Sequence, residues 1–124
     1  MTLATPTASA ATKAAWLPLC RLDDLEVERG RAALVDGTQL ALFLLRDGGV
    51  HAVSNLDPYS GANVISRGIV GSREDAPTVA SPMYKQVFDL RTGLCLESHG
   101  KEPLHLRVWK VAARDGELLV KWEA

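Results

Sequence analysis

The sequence predicts an all-β domain built of small antiparallel sheets, and three features carry that expectation. Turn dipeptides at Asp36-Gly37, Asp47-Gly48 and Asp115-Gly116 each separate apolar stretches, and glycine tolerates the positive φ that a tight hairpin requires. Leu104, Leu106 and Val108 alternate with His105 and Arg107 at period two, the spacing of a half-buried strand and not of a helix. Helical character is confined to one short early stretch, Arg21 to Val27.

Taken in order, residues Met1 to Ala15 are mostly Ala and Thr with Lys13 as their one basic residue, which predicts a disordered tail. No charged start leads into an apolar run of signal-peptide length. The domain is expected from Trp16 to Ala124, opening with a strand that contains Cys20. Asp23 and Asp24 stand near the start of the helical turn, where they suit the positive end of a helix dipole. Ala32 to Val35, Gln39 to Leu45 and Val50 to Ser54 then form a meander. From Asn55 to Ser81 the pattern weakens into a long segment holding Gly61, Gly68, Gly71 and Pro77, where an all-β scaffold places functional loops. A second loop spans Ser81 to Gln86, its Lys85-Gln86 pair read as a solvated face. Leu104 to Ala112 and Glu117 to Trp122 close the chain as a hairpin. No internal repeat or second domain is visible.

A length of 124 residues suits one core. Lys and Arg number 14 against 15 Asp and Glu, so no overall field attracts nucleic acid or an anionic membrane surface. No apolar stretch approaches the length of a transmembrane helix, and a cytoplasmic protein is expected. Cys20 and Cys95 stand far apart and are read as reduced, partly buried thiols, a disulfide between them being left open. His51, His99 and His105 are spread over separate elements, the pattern of satisfied side chains and not of a metal site. Nor does any Cys–His, Ser–His or carboxylate pair occur at a spacing that specifies a reaction. Asp57 and Ser81 are too few as oxygen ligands to make a Mg or Ca site.

Two segments carry a family resemblance. Ala52-Val53-Ser54-Asn55-Leu56-Asp57-Pro58-Tyr59 and the stretch from Ser81-Pro82-Met83-Tyr84 to Thr92-Gly93 resemble the two cluster-binding loops of Rieske [2Fe–2S] domains. Those loops carry C-x-H and C-P-x-H, the second commonly followed by Phe-Asp and Thr-Gly. Pro82, Phe88, Asp89, Thr92 and Gly93 fall in register, and the resemblance extends from about Trp16 to Trp122. On this register the ligand positions read Asp57, Tyr59, Ser81 and Tyr84. A Rieske centre requires two thiolates and two imidazoles. A serine hydroxyl is a hard donor, and a tyrosine hydroxyl, with a reference pKa of roughly 10, is normally protonated.

A Rieske-like domain with these loops, joined by Ile65-Ser66-Arg67-Gly68-Ile69-Val70-Gly71, is similar to the small subunits of assimilatory NAD(P)H-dependent nitrite reductases. That resemblance implies no cofactor and no catalytic residue in this chain. It implies a large-subunit partner holding FAD, a [4Fe–4S] cluster and sirohaem, which reduces nitrite to ammonium. It also implies that the loop tips lie together, making Pro58, Tyr59, Arg67, Pro82, Met83 and Tyr84 the candidate partner interface. Alternatively, Tyr59 and Tyr84 fill the volume of the lost cluster, their hydroxyls bonding Asp57 or Ser81. Arg67 is read as pairing either with the partner or locally with Glu74 or Asp75. The competing function is a stand-alone interaction module on the same scaffold.

Overall fold

The computed structural model describes residues 15–122. The expected tail lies outside them except for Ala15, which opens the first strand. Eleven strands follow in order: β1 (Ala15–Arg21), β2 (Arg31–Val35), β3 (Thr38–Leu44), β4 (Val50–Ser54), β5 (Ile69–Arg73), β6 (Ala76–Ala80), β7 (Val87–Asp89), β8 (Cys95–Glu97), β9 (Val108–Trp109), β10 (Val111–Arg114) and β11 (Glu117–Trp122). They form three antiparallel sheets, ordered β1-β11-β10, β2-β3-β4-β9 and β5-β6-β7-β8. Among the described residues no helix is long and apolar enough to cross a membrane.

The unbroken run Leu40-Ala41-Leu42-Phe43 explains the layering, because a strand alternates its side chains and all four of these are fully buried. Ala41 and Phe43 pack with Val53, Ile65, Val79 and Phe88 in one core cluster. Leu40 and Leu42 pack with Leu25, Trp109, Leu118 and Val120 in the other. β3 is thus covered on both faces and joins the two cores. Fully buried side chains such as Phe43 and Phe88 each contribute about 1.5–3 kcal/mol.

The three Asp-Gly hairpins form. Asp36 and Gly37 have φ of 49° and 81°, and Asp115 and Gly116 have 53° and 79°. Both central residues are left-handed in each, the geometry that matches strand twist. At Asp47-Gly48 only Gly48 is left-handed, with φ 89°, and the Asp47 carboxyl accepts from Gly49 N at 2.8 Å.

Three expectations are corrected. The helical turn is confined to a 3₁₀ turn at Leu22–Asp24, because Leu25 is extended (φ −96°, ψ 139°) and turns into the core. The segment from Asn55 to Ser81 is not all loop: β5 and β6 form a hairpin within it, register Ile69↔Ala80 to Arg73↔Ala76. The strand expected from Leu104 to Ala112 is strand only at β9 and β10, broken at Lys110. Upstream, Leu104 N, Leu106 N and the His105 ring bond to Tyr59 Oη, Gly93 O and Cys95 N respectively, so this segment has partners other than a ladder.

Candidate functional site at the two loops

The first loop leaves β4 at Asn55 and the second connects β6 to β7. Asn55 anchors the first loop from inside the protein. Its Nδ2 donates to Gln39 Oε1 (2.9 Å) and Asn63 O (3.3 Å), and its Oδ1 accepts from Ser66 N at 2.7 Å. Asp57 N bonds Ala62 O and Gly61 N bonds Asp57 O, both at 2.8 Å, closing a tight turn that Gly61 enters with φ 77°. In the second loop Ser81 N bonds Gln86 O (2.9 Å) and Lys85 N bonds Ser81 O (3.1 Å), with Lys85 left-handed at φ 65°.

Asp57 and Ser81 meet at the centre of the site. Ser81 Oγ donates to Asp57 Oδ2 at 2.5 Å, and both residues are fully buried. Asp57 Oδ1 also accepts from Tyr59 N (2.8 Å), and Ser81 Oγ from Met83 N (3.2 Å). The pair therefore fixes the backbone that follows it in each loop and ties the two loops together.

The tyrosines part company, and neither hydroxyl bonds Asp57 or Ser81. The Tyr59 ring packs on Phe88, centroids 6.3 Å apart. Its hydroxyl donates to Glu102 O (2.9 Å), accepts from Leu104 N (2.8 Å) and lies 3.5 Å from Cys95 Sγ. Burial, with the thiol contact adding, pushes the phenol above its ordinary range. Tyr84 instead is 53% exposed, beside Met83 at 46%, so it does not fill the site. Pro58 and Pro82 are half-buried. Arg67 is exposed at the end of the 3₁₀ turn Ile65–Arg67, and neither Glu74 nor Asp75 lies within ion-pair distance of it.

These residues do not fit a [2Fe–2S] cluster. The two positions that would supply thiolates carry oxygen donors in direct hydrogen-bond contact, which leaves no gap for iron between them. Of the positions that would supply imidazoles, Tyr59 is committed to segment 102–104 and Tyr84 faces solvent. Soft sulfur is lacking at all four. Among the described residues no three His, Cys, Asp or Glu gather as a metal site.

Other groups stand apart. Cys20 and Cys95 are free thiols, each half-buried. Burial raises the Cys20 thiol above its usual range, Arg31 opposing and Asp24 adding. The His99 ring lies 2.8 Å from Lys85 O, which braces the second loop, and the His105 ring accepts from Cys95 N at 2.9 Å. Gln86 corrects the reading of a solvated pair: it is buried, and its Oε1 has no hydrogen-bond partner among the described residues. Sequence reasoning missed Asn55, Gln86 and the contact of Tyr59 with segment 102–104. An Asn directly after a strand, where an Asx side chain can bond the turning backbone, was the one available signal.

Comparison with known proteins gives the family. The Rieske-like [2Fe-2S] domain family matches residues 15–121. The nitrite reductase (NADH) small subunit of Escherichia coli K12 is 35% identical over 102 residues, 82% of this chain and 92% of that protein. The nitrite reductase [NAD(P)H] large subunit of Klebsiella oxytoca is 39% identical over 105 residues, 85% of this chain but 11% of that protein. The solution structure of the Erwinia carotovora nitrite reductase [NAD(P)H] small subunit superposes with a TM-score of 0.72 at 35% identity, covering 88% of this chain and 82% of that one. The chain belongs to the Rieske-like domain family and, within it, to the nitrite reductase small subunits.

Proposed function

We propose that this chain is the small subunit of an NAD(P)H-dependent nitrite reductase, docking on the large subunit and supporting its reduction of nitrite to ammonium. In this reading the chain supplies no redox centre and no catalytic residue. FAD, the [4Fe–4S] cluster and sirohaem reside in the partner, and the assembly works in the cytoplasm. The observation that supports the reading is the Asp57–Ser81 bond, which ties the two loops together at positions where the family register has cluster ligands. Met83 and Tyr84 present apolar area with a hydrogen-bonding tip, the chemistry of interface cores. In this reading Pro58, Tyr59, Pro82 and Arg67 complete the surface, Tyr59 being held to segment 102–104 through its hydroxyl. The Klebsiella oxytoca relative supports the partnership, since a domain similar to this one forms part of a large-subunit polypeptide there.

The test is nitrite-dependent NAD(P)H oxidation by the separately purified large subunit, with and without this chain, beside iron analysis of the chain. Activity that rises on addition of an iron-free chain supports the reading. No effect and no association would leave a stand-alone interaction module on the same scaffold.

A further inference from the structure

All three tryptophans of the chain gather at the end of β4 away from the first loop. Trp16 and Trp109 line a cleft of about 730 Å³ together with Val50 and His51, and β4 carries the chain from there to Asn55 over about 13 Å. Trp122 stacks on Trp109 with centroids 5.8 Å apart and 14° between planes, and the Arg107 guanidinium stands 4.7 Å from the Trp109 ring centre.

The charge of the cleft has one sign. Arg91, Arg107, Lys110 and Lys121 line it, and no Asp or Glu does so among the described residues. Four basic side chains thus gather in one cleft of a chain whose net charge is −1. Arg91 is paired with Asp89 at 3.1 Å. Lys110 and Lys121 have no carboxylate of the described residues within ion-pair distance. They sit on neighbouring backbone, Lys121 N bonding Lys110 O at 2.9 Å.

We infer that this cleft docks an acidic segment of the large subunit, as a second contact besides the loop tip; the inference rests on the partnership proposed above. A face of one charge sign steers an oppositely charged partner, and Trp and Arg carry the binding energy of protein contacts. Lysine charges on neighbouring, hydrogen-bonded backbone suit carboxylates spaced along a chain. Neither a glycine-rich turn nor a helix N-terminus, whose converging backbone N–H groups complete many phosphate sites, lines the cleft among the described residues. The chain's own residues 1–14 carry Lys13 and no acidic residue, so they offer no charge complement.

The experiment titrates the purified large subunit with the full chain, with Lys110→Glu/Lys121→Glu, and with Lys110→Arg/Lys121→Arg, at two salt concentrations. Melting of both variants with the wild type shows that the fold is intact. The charge-reversed variant should bind about tenfold more weakly and with a flatter salt dependence, while the Arg variant binds as wild type. Equal binding by all three overturns the cleft assignment and leaves the partnership standing. No binding by the wild type overturns both. Inorganic phosphate that quenches tryptophan fluorescence at micromolar concentration, without competing with the large subunit, would make the cleft a small-anion site and overturn the assignment.

Discussion

Replacing Ser81 by Ala tests whether the Asp57–Ser81 bond holds the loops together. The change removes one oxygen without opening a cavity, since a methyl group nearly fills the space of a hydroxymethyl. It leaves Asp57 Oδ2 without its donor at 2.5 Å and Met83 N without its acceptor at 3.2 Å, at a site with no water access. An orphaned buried acceptor costs about 1–3 kcal/mol, and loss of the second bond adds about 0.5–1.5 kcal/mol. The sum, about 1.5–4.5 kcal/mol, lowers Tm by roughly 10 °C for a domain of this size. Urea unfolding of wild type, Ser81→Ala, Asp57→Ala and the double variant forms a cycle whose coupling should reach about 1–3 kcal/mol. Hydrogen exchange should also quicken at Met83 N. A loss under about 0.5 kcal/mol for Ser81→Ala, or additive single variants, would refute the idea that this bond replaces the cluster as the tie between loops.

Four further outcomes follow from the same geometry. Tyr59→Phe keeps the ring on Phe88 but loses both bonds to segment 102–104, so it should cost about 1–2 kcal/mol and speed exchange of the Leu104 amide; unchanged protection there would dismiss the clamp. Gly93→Ala, at φ 80° and with its new Cβ driven into Leu106 O, should cost about 3 kcal/mol or more, read as a fall in Tm or loss of soluble protein. Burial holds the His51 imidazole below its ordinary value, Asp47 and Asp89 opposing and Arg91 adding. A folded pKa below the unfolded value of about 6.5 gives stability that is present above that pH and lost as the pH falls through the folded value, so His51→Gln should flatten the decline below pH 6.5 in urea midpoints. Tyr84→Ala should leave stability within about 0.5 kcal/mol and weaken association with the large subunit about tenfold, measured by calorimetry; unaltered binding would remove Tyr84 from the interface.

What the sequence made legible depended on whether a local rule decided the structure. The hairpins at Asp36-Gly37 and Asp115-Gly116 were readable because a left-handed pair favours Asp-Gly whatever surrounds it. The β5–β6 hairpin was not, because its turn places Glu74, not glycine, at φ 54°, and because most of β5 is solvent-exposed and shows no apolar alternation. β7 and β8, at three residues each, are too short for a periodic signal. The alternation of Leu104, Leu106 and Val108 misled for a different reason: only Leu106 is buried among them, and the segment bonds to side chains and a distant turn. At the site, motif register singled out Asp57, Tyr59, Ser81 and Tyr84. That two of them would bond each other across 24 residues, while Tyr59 reached 43 residues on to Glu102, depends on how the sheets pack and leaves no trace in local sequence.

β1 and β11 pair with Ala15 opposite Trp122, so the two ends of the described chain lie side by side. A domain whose entrance and exit coincide can be appended to either end of another polypeptide, or spliced into one of its surface turns, without any strand having to be rerouted. The two loops are contributed by the middle of the chain, so neither is interrupted by such a junction. The architecture is therefore equally suited to life as a separate gene product and as a segment of a longer one, and a change from one state to the other would need only a linker.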